Sequence, residues 1–260
     1  MKSPNYLGFS FYKKAYYLER FPSVCYNIFI KKSEAKGLDN KKIKIITGHY
    51  GSGKTTFAVN LAINEKKNGE NVTIVDLDIV NPFFRTADNQ KMLEDLGIKV
   101  IVPLFSNSNL ETLALSAEVQ SVFHTQDTVI IDVGGDDDGA TALGRYNEMI
   151  KKQGYIMYCT ASCYRPMTQN IEDSAEVIRD IEAASRLKID YLVNTSSLGE
   201  ETDKNIILDS IDYIDSLCKA TKIPLAYNVV KSDIIKDFSE SELKKMKNIY
   251  PVEIYTKKLF

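Results

Sequence analysis

The chain has little net charge, few cysteines and no long apolar run, and each shortage removes a class of explanation. A formal charge of -2 over 260 residues gives no whole-molecule attraction to nucleic acid or to a membrane surface. The four cysteines, Cys25, Cys159, Cys163 and Cys218, do not form a disulfide framework at this length. No stretch is long and apolar enough to span a bilayer. Charges interrupt the first residues before an apolar region of the secretory type can develop, so a reducing cytoplasm is the expected location. No internal repeat is visible. What remains is an ordinary globular composition, 44% hydrophobic and 26% charged, which supports a sizeable core.

From Ile43 onward, strand-like and helix-like runs alternate. Strands are expected at Ile43–Thr47, Val72–Leu77, Lys99–Val102, Thr128–Val133, Tyr155–Thr160, Tyr191–Asn194 and Ile223–Tyr227. Helices are expected at Thr55–Lys67, Arg85–Leu96, Leu110–Phe123, Thr141–Lys152, Thr168–Leu187 and Asp203–Ala220, with a short one over Ser239–Lys247. The strands are rich in Ile and Val without clean alternation, the pattern of strands covered on both faces. This rhythm predicts an α/β fold, three-layered and doubly wound around a mostly parallel sheet, with ligands bound at the carboxyl ends of the strands.

Residues 43–260 read as one domain, and residues 1–42 as a basic, aromatic N-terminal extension. Up to Lys42 there are nine basic residues against three acidic ones, interleaved with Tyr6, Phe9, Phe11, Tyr12, Tyr16, Tyr17, Phe21, Tyr26 and Phe29. Such a segment suits single-stranded nucleic acid or an anionic membrane surface. The expected reading is nevertheless the plainer one, an accessory appendage packed on the core or a poorly ordered extension.

The run Gly48-His49-Tyr50-Gly51-Ser52-Gly53-Lys54-Thr55 fits the phosphate-binding loop pattern G-x-x-x-x-G-K-[ST]. An apolar strand precedes it, and Phe57, Ala58, Leu61 and Ala62 follow at helical spacing. Loop N–H groups and the positive end of the helix favour an anion there. Lys54 is placed to reach the β- and γ-phosphates, and Thr55 to offer a hydroxyl to Mg²⁺.

Acids follow at strand ends. Alternation puts Asp76 and Asp78 on one side at the end of the second strand, where they can hold Mg²⁺ through water or orient an attacking water. Asn81-Pro82 also allows a plain turn there. Asp132 closes another apolar strand as a metal-side residue, and Asp132-x-x-Gly135 has the form of a switch in which glycine backbone senses the γ-phosphate. Asp136-Asp137-Asp138-Gly139 is either a solvated turn, with side chains pointing mostly outward because three acids would repel a triphosphate, or a contributor to the site. Asn194 ends a further strand, able to read a purine edge or to make a turn. No Asn-Lys-x-Asp sequence is present, which weakens a guanine-specific reading.

Gly48–Thr56, the Asp76-x-Asp78 pair followed by Asn81-Pro82, Asp132-x-x-Gly135 and the strand ending at Asn194 together resemble the MinD/ParA/CobQ/CobB group of P-loop ATPases, SIMIBI-like in fold. Asp76-Leu77-Asp78-Ile79-Val80-Asn81-Pro82 looks like its Mrp-type branch. The resemblance covers about residues 42–230. It implies ATP and Mg²⁺ as cofactors, with Lys54 and Thr55 on phosphate and metal, Asp78 positioning the hydrolytic water, Asp132 supporting the metal and Asn194 facing the adenine. Thr56 belongs to the same loop.

Two departures stand out. Members that dimerise around ATP carry a lysine where this chain has His49, and a neutral imidazole donates a hydrogen bond without that fixed charge. A homodimer therefore lacks the support of the signature lysine. Iron–sulfur carriers of the Mrp-type branch have Cys-x-x-Cys, whereas Cys159-x-x-x-Cys163 reads as two buried small hydrophobes. Arg165 either touches substrate or phosphate or merely begins a helix from a turn, and His124 reads as a helix-end residue.

Three functions are compatible with these residues. The first is a slow Mg²⁺-dependent ATPase acting as a nucleotide switch on a protein partner. The second is a CobQ/CobB-like transferase or ligase acting on a small metabolite, with Arg165 and Thr195-Ser196-Ser197 at its substrate. The third is a nucleic-acid or membrane positioning protein working through residues 1–42.

Overall fold

Eight strands, hydrogen-bonded in the order β3-β2-β4-β1-β5-β6-β7-β8, form a single sheet in which every neighbouring pair is parallel. They are β1 (Ile43–Gly48), β2 (Val72–Leu77), β3 (Lys99–Ile101), β4 (Thr128–Val133), β5 (Tyr155–Ala161), β6 (Tyr191–Asn194), β7 (Leu225–Lys231) and β8 (Ile249–Val252). The α-helices are α1 (Lys54–Lys67), α2 (Gln90–Asp95), α3 (Asp136–Gly144), α4 (Asn147–Gln153), α5 (Ile171–Ser185), α6 (Lys204–Thr221) and α7 (Glu240–Lys245). The structure, a computed structural model, describes residues 41–78, 86–102 and 118–255, with 87 and 136–138 described by backbone alone. Nearly all of the expected extension 1–42 lies outside these residues. So do Asn81-Pro82 and the first part of the helix expected over Leu110–Phe123, of which residues 118–122 are helical.

Every residue of β1, β2 and β4 is buried. Alternate side chains of these strands enter two separate apolar clusters, one per face of the sheet. Ile45, Val75 and Ile131 join Leu143, Ile150, Ile178 and Ile214 on the side of α3 to α6. Ile46, Ile74 and Ile130 join Phe57, Ala58 and Leu61 of α1 and Leu93 of α2 on the other. Burial on both faces is what a continuous Ile/Val strand signals, and the three-layer doubly wound expectation holds.

Some boundaries differ, each for a physical reason. β7 begins after Pro224 rather than at Ile223, and it runs to Lys231 with alternate residues half-buried, so its polar Asn228 and Lys231 hid its end. β8 was not foreseen, because Pro251 interrupts its short apolar run; proline is tolerated in a strand at a sheet edge, where β8 lies. The helix expected over Thr141–Lys152 is two helices, α3 and α4. α3 starts at Asp136, so the triple Asp forms a first helical turn instead of a free turn. Acids there suit the positive end of a helix. Gly144 ends α3, where an added Cβ would lie 2.6 Å from the Ala184 carbonyl of α5.

Candidate functional site

β1 lies between β4 and β5, with its carboxyl end in the middle of the sheet. The loop that follows starts at Gly48, with φ +141° and an added Cβ only 2.4 Å from Thr160 Oγ1 of β5. Only glycine fits that approach. Ser52 Oγ donates to the His49 carbonyl at 2.6 Å and lies 2.6 Å from Thr160 Oγ1. Thr195, just past β6, donates its hydroxyl to the Ser52 carbonyl. The loop is thus pinned by the ends of β5 and β6. Gly53, φ +81°, precedes α1 and supplies no side-chain cap. The first-turn N–H groups of a helix begun in this way are available to an anion.

Lys54 is buried, with Nζ donating to the His49 carbonyl at 3.0 Å. Across from it, a Cβ on Gly135 would lie 3.1 Å from Lys54 Nζ and 2.8 Å from the Tyr50 backbone. Gly135, the second residue past β4, therefore rests directly on the loop. Tyr50 and Gly51 are exposed at its rim, and Thr56 is half-buried in the first turn of α1.

The three acids are brought to this end of the sheet but differ in situation. Asp76 and Asp132 are register partners on β2 and β4, so they share the α1 face. Asp76 is fully buried and accepts the Asp78 N–H at 2.9 Å. Asp78, half-buried, faces Gly134, whose added Cβ would lie 3.1 Å from Asp78 Oδ1. Asp132 Oδ2 accepts hydroxyls from Thr55 at 2.8 Å and Thr86 at 2.9 Å, while the buried Oδ1 has no hydrogen-bond partner among the described residues. Burial pushes the Asp132 carboxyl up to about 6, against the Thr55 hydroxyl, the Lys54 charge and the Thr86 hydroxyl, which pull it down.

An unsatisfied buried carboxylate oxygen beside a threonine hydroxyl fits a small hard cation. Among the described residues no three His, Cys, Asp or Glu groups cluster closely enough to cage a metal. Mg²⁺ suits that arrangement, since it keeps much of its water and takes one or two protein ligands together with phosphate oxygens. Thr86 is absent from the sequence reading. No motif marks it, and the hydroxyl meets Asp132 only through the fold.

Asn194 is buried, and both of its amide hydrogens are committed, to Ser210 Oγ and Asn228 Oδ1 at 2.9 Å each. Its Oδ1 accepts the Ser196 N–H. A base meets this side chain only if that network opens. Cys159 is buried, and burial pushes its thiol up to about 12. Cys163 is half-buried and lies against Ser196 Oγ, so of the two only Cys159 is buried as expected. His124 is exposed at the end of the 118–122 helix. Arg165, after β5, lays its side chain on Gly51: the added Cβ there would be 3.4 Å from Arg165 Nε, which is buried with no hydrogen-bond partner among the described residues.

No curated protein matches the chain. Among solved structures, the signal recognition particle receptor FtsY from Elizabethkingia anophelis is similar at 18% identity and a TM-score of 0.49, over 80% of this chain and 66% of that one. The cell division protein FtsY from Thermotoga maritima is similar at 19% identity and 0.48, over 76% and 65%. FlhF, solved with GMPPNP and Mg²⁺, is similar at 15% identity and 0.47, over 75% and 68%. This chain thus spans about two thirds of the length of the two FtsY chains. Residues 43–240, which carry every strand but β8 together with the loop and the three acids, match the CobQ/CobB/MinD/ParA nucleotide binding domain. The chain belongs to that family.

Proposed function

We propose that this protein binds ATP with Mg²⁺ and hydrolyses it slowly, using the nucleotide state to control contacts with a partner. The observation that carries this reading is Asp132: one oxygen held by the Thr55 hydroxyl, the other buried and unsatisfied, beside Lys54.

The loop N–H groups from Gly48 to Thr56 and the Lys54 ammonium bind and balance the phosphate charge. Thr55 gives its single proton to Asp132 and keeps its lone pairs for the metal, and Asp132 stands behind it. Asp76 holds the Asp78 backbone, and Asp78 orients the attacking water in line. Mg²⁺, when bound, neutralises charge developing on the β- and γ-oxygens. Gly135 lies on the loop where its backbone can report the γ-phosphate, so hydrolysis changes the position of α3 and the surface it presents. Asn194 closes the base side only once its bonds to Ser210 and Asn228 open.

A second reading is favoured by Arg165. A buried guanidinium nitrogen with no partner, set against Gly51, suits the carboxylate or phosphate of a small metabolite. On that reading the enzyme is an ATP-dependent transferase or ligase. ATP turnover without added metabolite supports the switch; ADP release that requires a metabolite supports the transferase.

A thermal-shift panel of nucleotides with Mg²⁺ tests the nucleotide assignment. ATP at 100-fold its Kd is expected to stabilise the protein by about 2.7 kcal/mol. Lys54→Ala is expected to abolish that shift; an unchanged shift removes Lys54 from the site.

A further inference from the structure

Thr86 lies outside the residues that the loop and strand-end patterns single out. It opens the short 3-10 turn Thr86–Asn89, eight positions after Asp78 in the chain. Its side chain is fully buried, and its hydroxyl donates to Asp132 Oδ2 at 2.9 Å. The same oxygen accepts the Thr55 hydroxyl at 2.8 Å, and Oδ1 has no hydrogen-bond partner among the described residues.

We infer that Thr86 is a positioning residue for the metal side of the nucleotide site. This inference rests on the Mg²⁺-nucleotide reading above. A carboxylate held by one hydroxyl can turn about its Cβ–Cγ bond and exchange its two oxygens. Two hydroxyls from different elements, α1 and the Thr86 turn, converge on Oδ2 and oppose that rotation. Oδ1 is left as the oxygen that faces the cation's shell of water. Outer partners that orient ligands or their supports commonly change metal affinity by about 10- to 100-fold. Thr86 also ties the Thr86–Asn89 turn to the acid at the end of β4.

The alternative is that the carboxylate merely satisfies a buried hydroxyl. In that case removal of the hydroxyl shifts stability but leaves the dependence on metal alone. The test uses the full chain with a non-hydrolysable ATP analogue, measuring thermal stabilisation through a Mg²⁺ titration and analogue binding in EDTA. Thr86→Val, which keeps the shape and loses the donor, is expected to need about tenfold more Mg²⁺ for half-maximal stabilisation, with binding in EDTA unchanged. Thr86→Ser is expected to keep the wild-type midpoint. Thr86→Cys, a poor donor of similar size, gives a second reading of the same loss should the valine variant not fold, and is expected to raise the midpoint. A valine or cysteine variant at the wild-type midpoint, or a serine variant displaced from it, overturns the assignment of Thr86 alone. Wild-type protein that gains nothing from Mg²⁺ with the analogue overturns the nucleotide-site reading, and the role of Thr86 with it.

Discussion

At Gly135 the lack of a side chain is what allows the end of β4 to lie on the phosphate loop. An added methyl would sit 2.8 Å from the Tyr50 backbone, and backbone at both sides leaves no flexible group to yield. Gly135→Ala should therefore push the loop and the start of α3 apart, at a cost of about 1–3 kcal/mol for the overpacked contact. Urea unfolding reads the stability, and the ATP thermal shift reads the site. A full nucleotide shift in the alanine variant would place Gly135 outside the bound-state contacts. At this scale Lys54, Thr55 and Asp132 were legible in the sequence, because a phosphate loop fixes their spacing and strand ends announce the acids. The commitments of Asn194 were not, since Ser210 and Asn228 arrive from α6 and β7. Thr86 was equally silent: its partner lies 46 residues away, and threonine at a helix start has many ordinary uses.

Among the elements, β1 and α1 frame the loop, and an ion pair inside the core joins them. Lys44 of β1 and Glu65 of α1 meet at 2.5 Å, with side-chain exposures of 2% and 12%. Two charges taken from water contribute little net stability, but either one left alone is costly. Lys44→Ala should lower the unfolding free energy by about 3–5 kcal/mol, while Lys44→Met with Glu65→Leu should recover most of that loss. Denaturant unfolding of the two variants checks this; an equally damaged double variant would mean that packing, not charge, sets the cost. The Lys44 position shows why the strands were easy to find and this pair was not. A lone lysine within Ile43-Lys44-Ile45-Ile46 does not disturb an apolar run, and nothing local names Glu65 as its partner. The α3 start was misjudged for a related reason, since three acids and a glycine spell a turn as readily as the first turn of a helix.

Over the whole molecule, the described residues hold a sheet complete from β3 to β8 without the first forty residues. Residues 1–42 are proposed as an appendage to a domain of 43–260. A chain starting at Lys41 should unfold in one cooperative urea transition and keep its ATP-induced stabilisation. Loss of both would show that the extension completes the fold. Binding to single-stranded DNA or anionic liposomes by the full chain, lost on this truncation, would give the extension a function of its own.

The far edge of the sheet carries one more consequence. The carbonyls of Asn248, just before β8, and of Val252, its last residue, accept N–H groups of Asn228 and Ser232, so the alternation of the strand turns Pro251 away from β7. The missing N–H of proline is therefore missing from the open side, where a ninth strand would need a donor. Chains crowded together during synthesis meet, at this edge, a short template with a gap in it. The same residue that hid the strand from a sequence reader guards it against aggregation.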